Sequence, residues 1–155
     1  MLLSTANNII KHIRKYFKHF DVVGSIGRKE YINTDIDILI YERDLDELIN
    51  SVDELILIKK NKNRAIADIV FSHKRYKLDI FLCNEDNYIF MKFMLESPKS
   101  YNIRVRNLAK TKGYKLSQYG LYKIVNNREI PVKIQSEADI FDILGITHRS
   151  IYNRD

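Results

Sequence analysis

The sequence has no apolar run long enough to cross a membrane, a single cysteine and only four scattered histidines. A membrane span needs about 18 consecutive apolar residues, and a secretory leader pairs a charged segment with an apolar one. The sequence shows neither feature, so we expect an intracellular protein. Cys83 alone cannot form an internal disulfide. Because the histidines show no zinc-ligand spacing, oxygen atoms remain as the ligands for any metal ion.

The charge of the chain is unevenly distributed. Its 155 residues, 45% hydrophobic and 30% charged, suit about one globular domain or two small lobes, and the net charge is +6. Residues 35–54 carry eight acidic side chains and only Arg43, whereas residues 97–134 carry nine Lys or Arg against Glu129. An acidic site followed by a basic lobe is typical of a metal-dependent enzyme that acts on nucleic acid. A solvated basic face would produce the same pattern.

The apolar periodicity predicts an α+β fold. Residues 4–20 favour an amphipathic helix, and residues 21–83 favour several strands around one short helix. Helical segments dominate after Asn84, and residues 136–145 resemble a helix with a capping Ser and a terminal Gly. We therefore expect a mixed β-sheet with flanking helices, followed by a small α/β subdomain.

Two aspartates interrupt the apolar strand DIDILIY at residues 35–41. Side chains alternate between the faces of a strand, so Asp35 and Asp37 share one face, with their Cα atoms about 7 Å apart. Like charges this close repel each other unless a cation lies between them. Carboxylate ligands favour Mg²⁺ or Mn²⁺ and can hold the two ions used in phosphoryl transfer. An exposed acidic strand edge would also show this pattern.

Residues on either side of this strand add candidates to the same site. Gly24 and Ser25 follow the short strand DVV and offer backbone N–H groups and a hydroxyl where a turn begins, an arrangement that binds phosphate. Arg28 comes about one helical turn later. Asp79 lies within the apolar segment YKLDIFLC, where a lone charge is costly. Asp68 is the rival third carboxylate, and Asp79 is preferred because its strand is longer and more apolar.

This order of residues resembles the DNA polymerase beta superfamily of nucleotidyltransferases, in which Gly-Ser, a short helix and Asp-x-Asp precede a third Asp on a later strand. The second half is similar to the thumb motif of the X-family DNA polymerases, which runs roughly GSKxHNxxLRxxAxxKGxxLNEYGLF; here it reads SPKSYNIRVRNLAKTKGYKLSQYGLY. The motif matches without a gap at Lys99, Asn102, Arg106, Ala109, Lys112, Gly113, Leu116, Tyr119, Gly120 and Leu121. The resemblance extends over the chain from about Val22 onward.

The resemblance implies a nucleotidyltransferase palm and a DNA-directed DNA polymerase, which extends a primer 3′-hydroxyl, releases pyrophosphate and fills gaps in DNA repair. The implied cofactors are two Mg²⁺ ions, for which Mn²⁺ can substitute. Asp35 and Asp37 would ligate both ions, and Asp79 only the ion that activates the primer hydroxyl. Ser25 and Arg28 would hold the phosphates of the incoming nucleotide.

The resemblance also assigns roles to the second half. Gly24 beside the phosphates and Asn102 at the minor-groove edge of the incoming base complete the nucleotide-binding set. Arg106 would contact the template. The expected DNA-binding residues are Lys99, Arg104, Arg106, Lys110, Lys112 and Lys115.

The expected organisation is a palm at residues 1–96 and a thumb at residues 97–155, divided at Ser97 and Pro98. The usual family members carry lyase and fingers domains before the palm, for which this chain has no room, so it resembles the compact viral form. Expected partners are gapped or nicked duplex DNA, deoxynucleoside triphosphates and a DNA ligase of the same repair pathway. We expect a monomer without a membrane partner. A viral protein of this kind is expected in the host cytoplasm and the virion.

One residue and one short segment depart from the family pattern. Gly27 stands where many relatives have a second arginine, and MLESP, from Met94 to Pro98, replaces YFTGS. The family segment places an aromatic ring against the sugar 2′ position and contains an unusual Gly-Ser peptide bond. We therefore expect incorporation of ribonucleotides and a cis Ser97–Pro98 bond, because proline makes the cis form accessible.

Two other functions fit the residues less well. A template-independent nucleotidyltransferase acting on an RNA end, a protein or a small molecule would use the same carboxylates but would not need a basic thumb. A non-catalytic nucleic-acid-binding module would not need three carboxylates. Template-directed, Mg²⁺-dependent incorporation of nucleotides separates these hypotheses.

Overall fold

The structure, a computed structural model, describes residues 1–28, 35–149 and 153–154. The chain divides into two compact units, Met1–Asn84 and Glu85–Asp155. None of the described helices combines the length and the apolar character that crossing a membrane requires.

In its described residues, the first unit combines three short or medium helices with five strands and a 3-10 turn at Glu42–Asp44. In chain order its elements are α1 (Leu3–Arg14), β1 (Asp21–Val23), α2 (Gly24–Gly27), β2 (Ile36–Tyr41), α3 (Leu45–Ser51), β3 (Leu55–Lys60), β4 (Arg64–Phe71) and β5 (Lys74–Cys83). The strands form one sheet in the order β1-β2-β5-β4-β3. β2 and β5 run parallel, and the other neighbouring pairs are antiparallel.

One face of this sheet forms the core of the first unit. Ile36, Ile38 and Ile40 of β2 are almost fully buried and belong to the same apolar cluster as the buried residues of α1 and α3. Because side chains alternate along a strand, Asp37 and Asp79 lie on the opposite face of the sheet. The apolar residues that bury one face thereby present both carboxylates on the other.

The described part of the second unit packs three helices with a small antiparallel sheet. Its elements are α4 (Tyr88–Glu96), α5 (Lys99–Thr111), β6 (Tyr114–Ser117), β7 (Gly120–Val125), β8 (Arg128–Pro131) and α6 (Glu137–Leu144), with the strands in the order β6-β7-β8. Its core includes Phe93, Leu121 and Phe141. A capping box of Ser136 and Asp139 starts α6, and Gly145 ends it in a left-handed conformation.

The observed elements confirm the predicted α+β fold with a mixed sheet and flanking helices. One detail differs from the sequence prediction. The first helix ends at Arg14 rather than near residue 20, although Phe17 and Phe20 beyond it are buried. The compact units divide after Asn84, because Phe90 and Phe93 belong to the core of the second unit, and the boundary between palm and thumb at 96/97 stays a prediction.

Candidate active site

Strand pairing places two aspartates next to each other. In the parallel register of β2 and β5, Asp37 is the partner of Asp79, and Asp35 immediately precedes β2. The rival Asp68 lies on β4 and pairs with Lys77 of β5. Its carboxylate lies 3.4 Å from Arg75 Nη1. The sheet register thus brings together the carboxylates preferred from the sequence.

Gly24 allows α2 to approach these carboxylates closely. Its φ is +69°, a conformation that L side chains rarely adopt, and a Cβ atom there would lie 2.2 Å from Asp37 Oδ2. Gly27 is equally constrained, because a Cβ atom would lie 2.6 Å from the backbone oxygen of Val22. The packing of α2 against β1 therefore leaves no room for a side chain at Gly27.

Burial and the neighbouring carboxylates change the acidity of Asp37. Its pKa rises from the usual 3.8 to about 6, first because of burial and then because of the charges of Asp79 and Asp35. Arg64 and Lys77 oppose this rise without cancelling it. Crowded anionic charge is therefore the main electrostatic property of this site.

Arg64 and Lys77 are site residues that the sequence analysis missed. Arg64 donates two hydrogen bonds to Asp79, from Nε to Oδ1 at 3.1 Å and from Nη2 to Oδ2 at 2.7 Å. The ammonium group of Lys77 lies 3.4 Å from Asp35 Oδ2. Lys77 is two residues before Asp79 on one strand, so alternation could have indicated it. Arg64 required the register of the β4–β5 hairpin.

The donor atoms of the site suit a hard divalent cation. Asp35, Asp37 and Asp79 offer only carboxylate oxygens, and a cation would relieve the repulsion that raises the pKa of Asp37. Among the described residues, no group of three or more His, Cys, Asp or Glu side chains already has the spacing of a ligand set. Arg64 engages one lone pair on each oxygen of Asp79, so an ion bound through Asp79 would share this carboxylate with the guanidinium.

The phosphate-binding candidates lie at the two ends of α2. Ser25 is in its first turn, and Arg28 directly follows its last residue, with the Arg28 N–H donating to Gly24 O at 3.1 Å. Both side chains are partly buried. Residues 29–34, which separate α2 from the aspartates, are outside the described part of the chain.

Asn102 holds the segment that replaces the family's YFTGS. Its Nδ2 donates to Met94 O at 2.7 Å and to Ser97 O at 3.4 Å, while its buried Oδ1 accepts no hydrogen bond within the described residues. The cis prediction for Ser97–Pro98 was wrong, since no described peptide bond is cis. Ser97 adopts the extended conformation that residues before proline prefer, and Pro98 caps α5 in the trans form.

The structure separates the basic residues predicted to bind DNA. Arg106 and Lys110 of α5 and Lys115 of β6 line one groove of about 420 Å³. Arg104 lines a different cavity, and Lys99 is the first residue of α5.

Lys112 has an intramolecular partner. Its ammonium group donates to the backbone oxygen of Leu144, at the C-terminal end of α6. Cations stabilise this end of a helix, so the structure gives Lys112 a role in joining α5 to α6. Lys115 also pairs with Glu129 at 2.8 Å, but both side chains are exposed.

Comparisons with known proteins agree with this architecture. The family model for the DNA polymerase beta thumb matches residues 97–154. Repair DNA polymerase X of African swine fever virus (strain Badajoz 1971 Vero-adapted) is 34% identical over 140 residues, covering 85% of this chain and 79% of the relative. The same protein of isolate Tick/Malawi/Lil 20-1/1983 is 33% identical over 140 residues, with the same coverage of 85% and 79%.

The fold is also that of a solved polymerase. The crystal structure of Leishmania infantum polymerase beta in a ternary P/T complex aligns with a TM-score of 0.78 at 19% identity, covering 100% of this chain and 76% of that chain. The palm-like sheet with its adjacent aspartates and the matched thumb define the class as a polymerase beta-type nucleotidyltransferase. The chain belongs to the X family of DNA polymerases and is a DNA polymerase. Metal dependence is general in this family.

Proposed function

We propose that the chain fills short gaps in duplex DNA under template direction, adding deoxynucleotides to a primer 3′-hydroxyl with two Mg²⁺ ions. The observation that carries this proposal is the side-by-side register of Asp37 and Asp79, with Asp35 one residue before the strand. Three carboxylates this close need cationic partners, and a magnesium–triphosphate complex supplies them. Mn²⁺ substitutes because it accepts the same oxygen ligands.

The carboxylates hold the metal ions in this proposal. Asp35 and Asp37 would hold both ions, and Asp79 would hold only the ion that activates the primer hydroxyl while Arg64 stays hydrogen-bonded to its carboxylate. When bound, the ions lower the pKa of the primer hydroxyl and neutralise the charge that develops on the phosphates. Arg64 remains close enough to Asp79 to keep its carboxylate oriented.

Each unit contributes residues to nucleotide binding in this proposal. Gly24 and Ser25 at the start of α2 and Arg28 after its end bind the β- and γ-phosphates, since backbone N–H groups and a guanidinium are strong phosphate donors. Asn102, whose Oδ1 is buried without a described partner, contacts the incoming base. Most of the rate acceleration then comes from holding primer and nucleotide in reactive geometry.

The groove lined by Arg106, Lys110 and Lys115 contacts the phosphates of the DNA. Filling a gap leaves a nick, so a DNA ligase acts on the product. The enzyme works as a monomer, in the host cytoplasm and the virion if the source is viral.

Primer extension on a one-nucleotide gapped duplex tests the proposed function. The wild type, Asp79→Asn and Asp68→Asn are compared with Mg²⁺ and each of the four deoxynucleotides. We expect the wild type and Asp68→Asn to add only the templated nucleotide and Asp79→Asn to lose at least roughly a hundredfold in rate, because a charge that stabilises the transition state is removed. Incorporation independent of the template base would instead indicate the template-independent nucleotidyltransferase.

A further inference from the structure

Met94–Pro98, the segment that departs from the family pattern, is held by a residue near the end of the chain. Arg154 Nη1 donates to Ser97 Oγ at 2.9 Å, and Ser97 Oγ donates to Phe93 O at 2.6 Å. Both Ser97 and Arg154 are only 4% exposed. They are the first and last residues of the region that matches the thumb family, so one buried hydrogen bond joins the two ends of that region.

Several contacts fix the guanidinium of Arg154. Its Nη2 pairs with the carboxylate of Glu137 and donates to Arg149 O at 2.9 Å. Its Cζ atom lies 4.9 Å from the ring centre of Phe93 and 5.5 Å from that of Phe141. A buried charge is tolerated only when it is paired and hydrogen-bonded, and a planar guanidinium can reach these partners together where a lysine cannot.

Asn102 also holds the segment Met94–Pro98, through its backbone. While Arg154 bonds the hydroxyl of Ser97, Asn102 Nδ2 donates to the backbone oxygens of Met94 and Ser97. A displacement of Ser97 therefore shifts the acceptors of the Asn102 amide. Loss of the Arg154 contact would therefore alter the position of Asn102 through the buried Ser97.

We propose that Arg154 is a positioning residue that sets the place of Met94–Pro98 and Asn102 at the incoming nucleotide, and thereby selects between deoxyribonucleotides and ribonucleotides. The inference rests on the proposed function, because it takes Asn102 as a nucleotide contact. Arg154 acts through Ser97 and Asn102 and need not touch the substrate. No aromatic side chain occupies this segment, so its placement by hydrogen bonds decides how closely it surrounds the sugar.

The test compares the wild type with Arg154→Met, Arg154→Lys and Ser97→Ala on the gapped duplex. For each variant, kcat and KM are measured with a deoxynucleotide and with the ribonucleotide of the same base, and Kd for the DNA is measured separately. Thermal melts first establish a temperature at which every variant is folded. We expect Arg154→Met to raise the deoxynucleotide KM roughly tenfold, as the loss of a charged hydrogen bond predicts.

The other variants separate positioning from stability. Arg154→Lys keeps a positive charge beside Glu137, so it should recover much of the melting temperature without recovering the nucleotide KM. Ser97→Ala removes the hydroxyl that accepts from Arg154 and donates to Phe93 O while leaving Arg154 in place, and it should change the ratio of deoxynucleotide to ribonucleotide kcat/KM in the same direction as Arg154→Met. Arg149→Met is the matched control, because Arg154 bonds its backbone oxygen, and it should leave the ratio unchanged.

The outcomes distinguish this inference from the proposed function. A changed sugar ratio with unchanged DNA Kd supports the positioning role. Lower melting temperatures with wild-type KM and sugar ratio would overturn it and leave Arg154 as a stabilising residue only. If Arg154→Met does not fold, Ser97→Ala and Arg154→Lys decide the question. Absence of templated extension by the wild type would contradict the proposed function itself.

Discussion

Arg64 and Asp79 form a two-point ion pair, from Nε to Oδ1 at 3.1 Å and from Nη2 to Oδ2 at 2.7 Å. Asp79 is buried, whereas the side chain of Arg64 is 43% exposed and can move into solvent. The guanidinium therefore serves as a replaceable counter-ion for a carboxylate that the proposed reaction needs. Because Arg64 and a metal ion would interact with the same carboxylate, we expect removal of Arg64 to change both the stability of the first unit and its response to Mg²⁺.

Arg64→Met should destabilise the metal-free protein and increase its response to Mg²⁺. The buried Asp79 carboxylate loses its partner, at a cost of about 1–3 kcal/mol. Mg²⁺ no longer competes with a guanidinium, so the melting temperature should rise more on Mg²⁺ addition than in the wild type. Thermal unfolding with and without Mg²⁺ measures both effects.

Arg75→Met is the matched control for Arg64. Its pair with Asp68 is longer, at 3.4 Å, and more exposed, so the change should stay within about 0.5 kcal/mol. The response to Mg²⁺ should equal that of the wild type. Equal Mg²⁺ responses of Arg64→Met and Arg75→Met would contradict the competition between Arg64 and the metal.

Asp37→Asn should stabilise the metal-free protein while removing activity. The pKa of Asp37 is about 6 in the folded chain against 3.8 ordinarily, so the folded state binds its proton more tightly. The contribution of Asp37 to the free energy of unfolding is fully present below pH 3.8 and is lost as the pH rises through about 6. Above that pH the ionised carboxylate destabilises the fold, by about 1 kcal/mol after allowance for solvent screening.

Chemical denaturation of Asp37→Asn and the wild type at several pH values checks whether the ionised Asp37 carboxylate destabilises the fold. The difference in free energy of unfolding should be near zero below pH 3.8, grow as the pH rises and be complete above about pH 6. Saturating Mg²⁺ should reverse the order, because only the wild type keeps the full ligand set. A variant less stable than the wild type in metal-free buffer at neutral pH would show that Asp37 is not destabilised by its neighbours.

Gly24→Ala should disrupt the site beyond the cost of its backbone conformation. A left-handed alanine costs about 1–2 kcal/mol, and here its Cβ atom would also meet Asp37 Oδ2 at 2.2 Å. We expect a further loss of stability and at least roughly a hundredfold loss of polymerase activity as Asp37 moves.

Gly113→Ala isolates the backbone contribution in that experiment. Gly113 also has positive φ, at +81°, but a Cβ atom there would have no neighbour within 4 Å. The variant should lose about 1–2 kcal/mol of stability and keep its activity once folded. Comparable activity losses in the Gly24 and Gly113 variants would exclude the steric explanation.

Two lysines of the second unit should respond differently to substitution. Lys110→Met should weaken DNA binding and lower the slope of log K against log salt by about 0.9, the value for one phosphate contact. Lys112→Met should leave that slope unchanged and lower stability by about 0.5–1 kcal/mol, because Lys112 bonds the C-terminal carbonyl of α6. DNA titrations at several salt concentrations, with thermal melts, separate the two roles.

Much of the fold could be predicted because neighbouring residues in the sequence determine its helices, strands and turns. The alternation in β2 and β5, the turn at residues 60–64 and the capping box of α6 are written in neighbouring residues. The choice of Asp79 over Asp68 came from the apolar context of its strand, and the register of β2 with β5 places Asp79 opposite Asp37. The cis Ser97–Pro98 bond was inferred from a family feature, whereas the buried contacts of Ser97 suit the trans form.

The sequence by itself determined the α+β class, the membership in the polymerase family and the identity of the three candidate carboxylates, because these depend on residue type and short-range spacing. Only the tertiary structure decided which charges face those carboxylates and which residues hold Ser97. Arg64 meets Asp79 through hairpin register, and Arg154 meets Ser97 through packing across the second unit. Such contacts depend on how separate segments pack, which short-range periodicity does not encode.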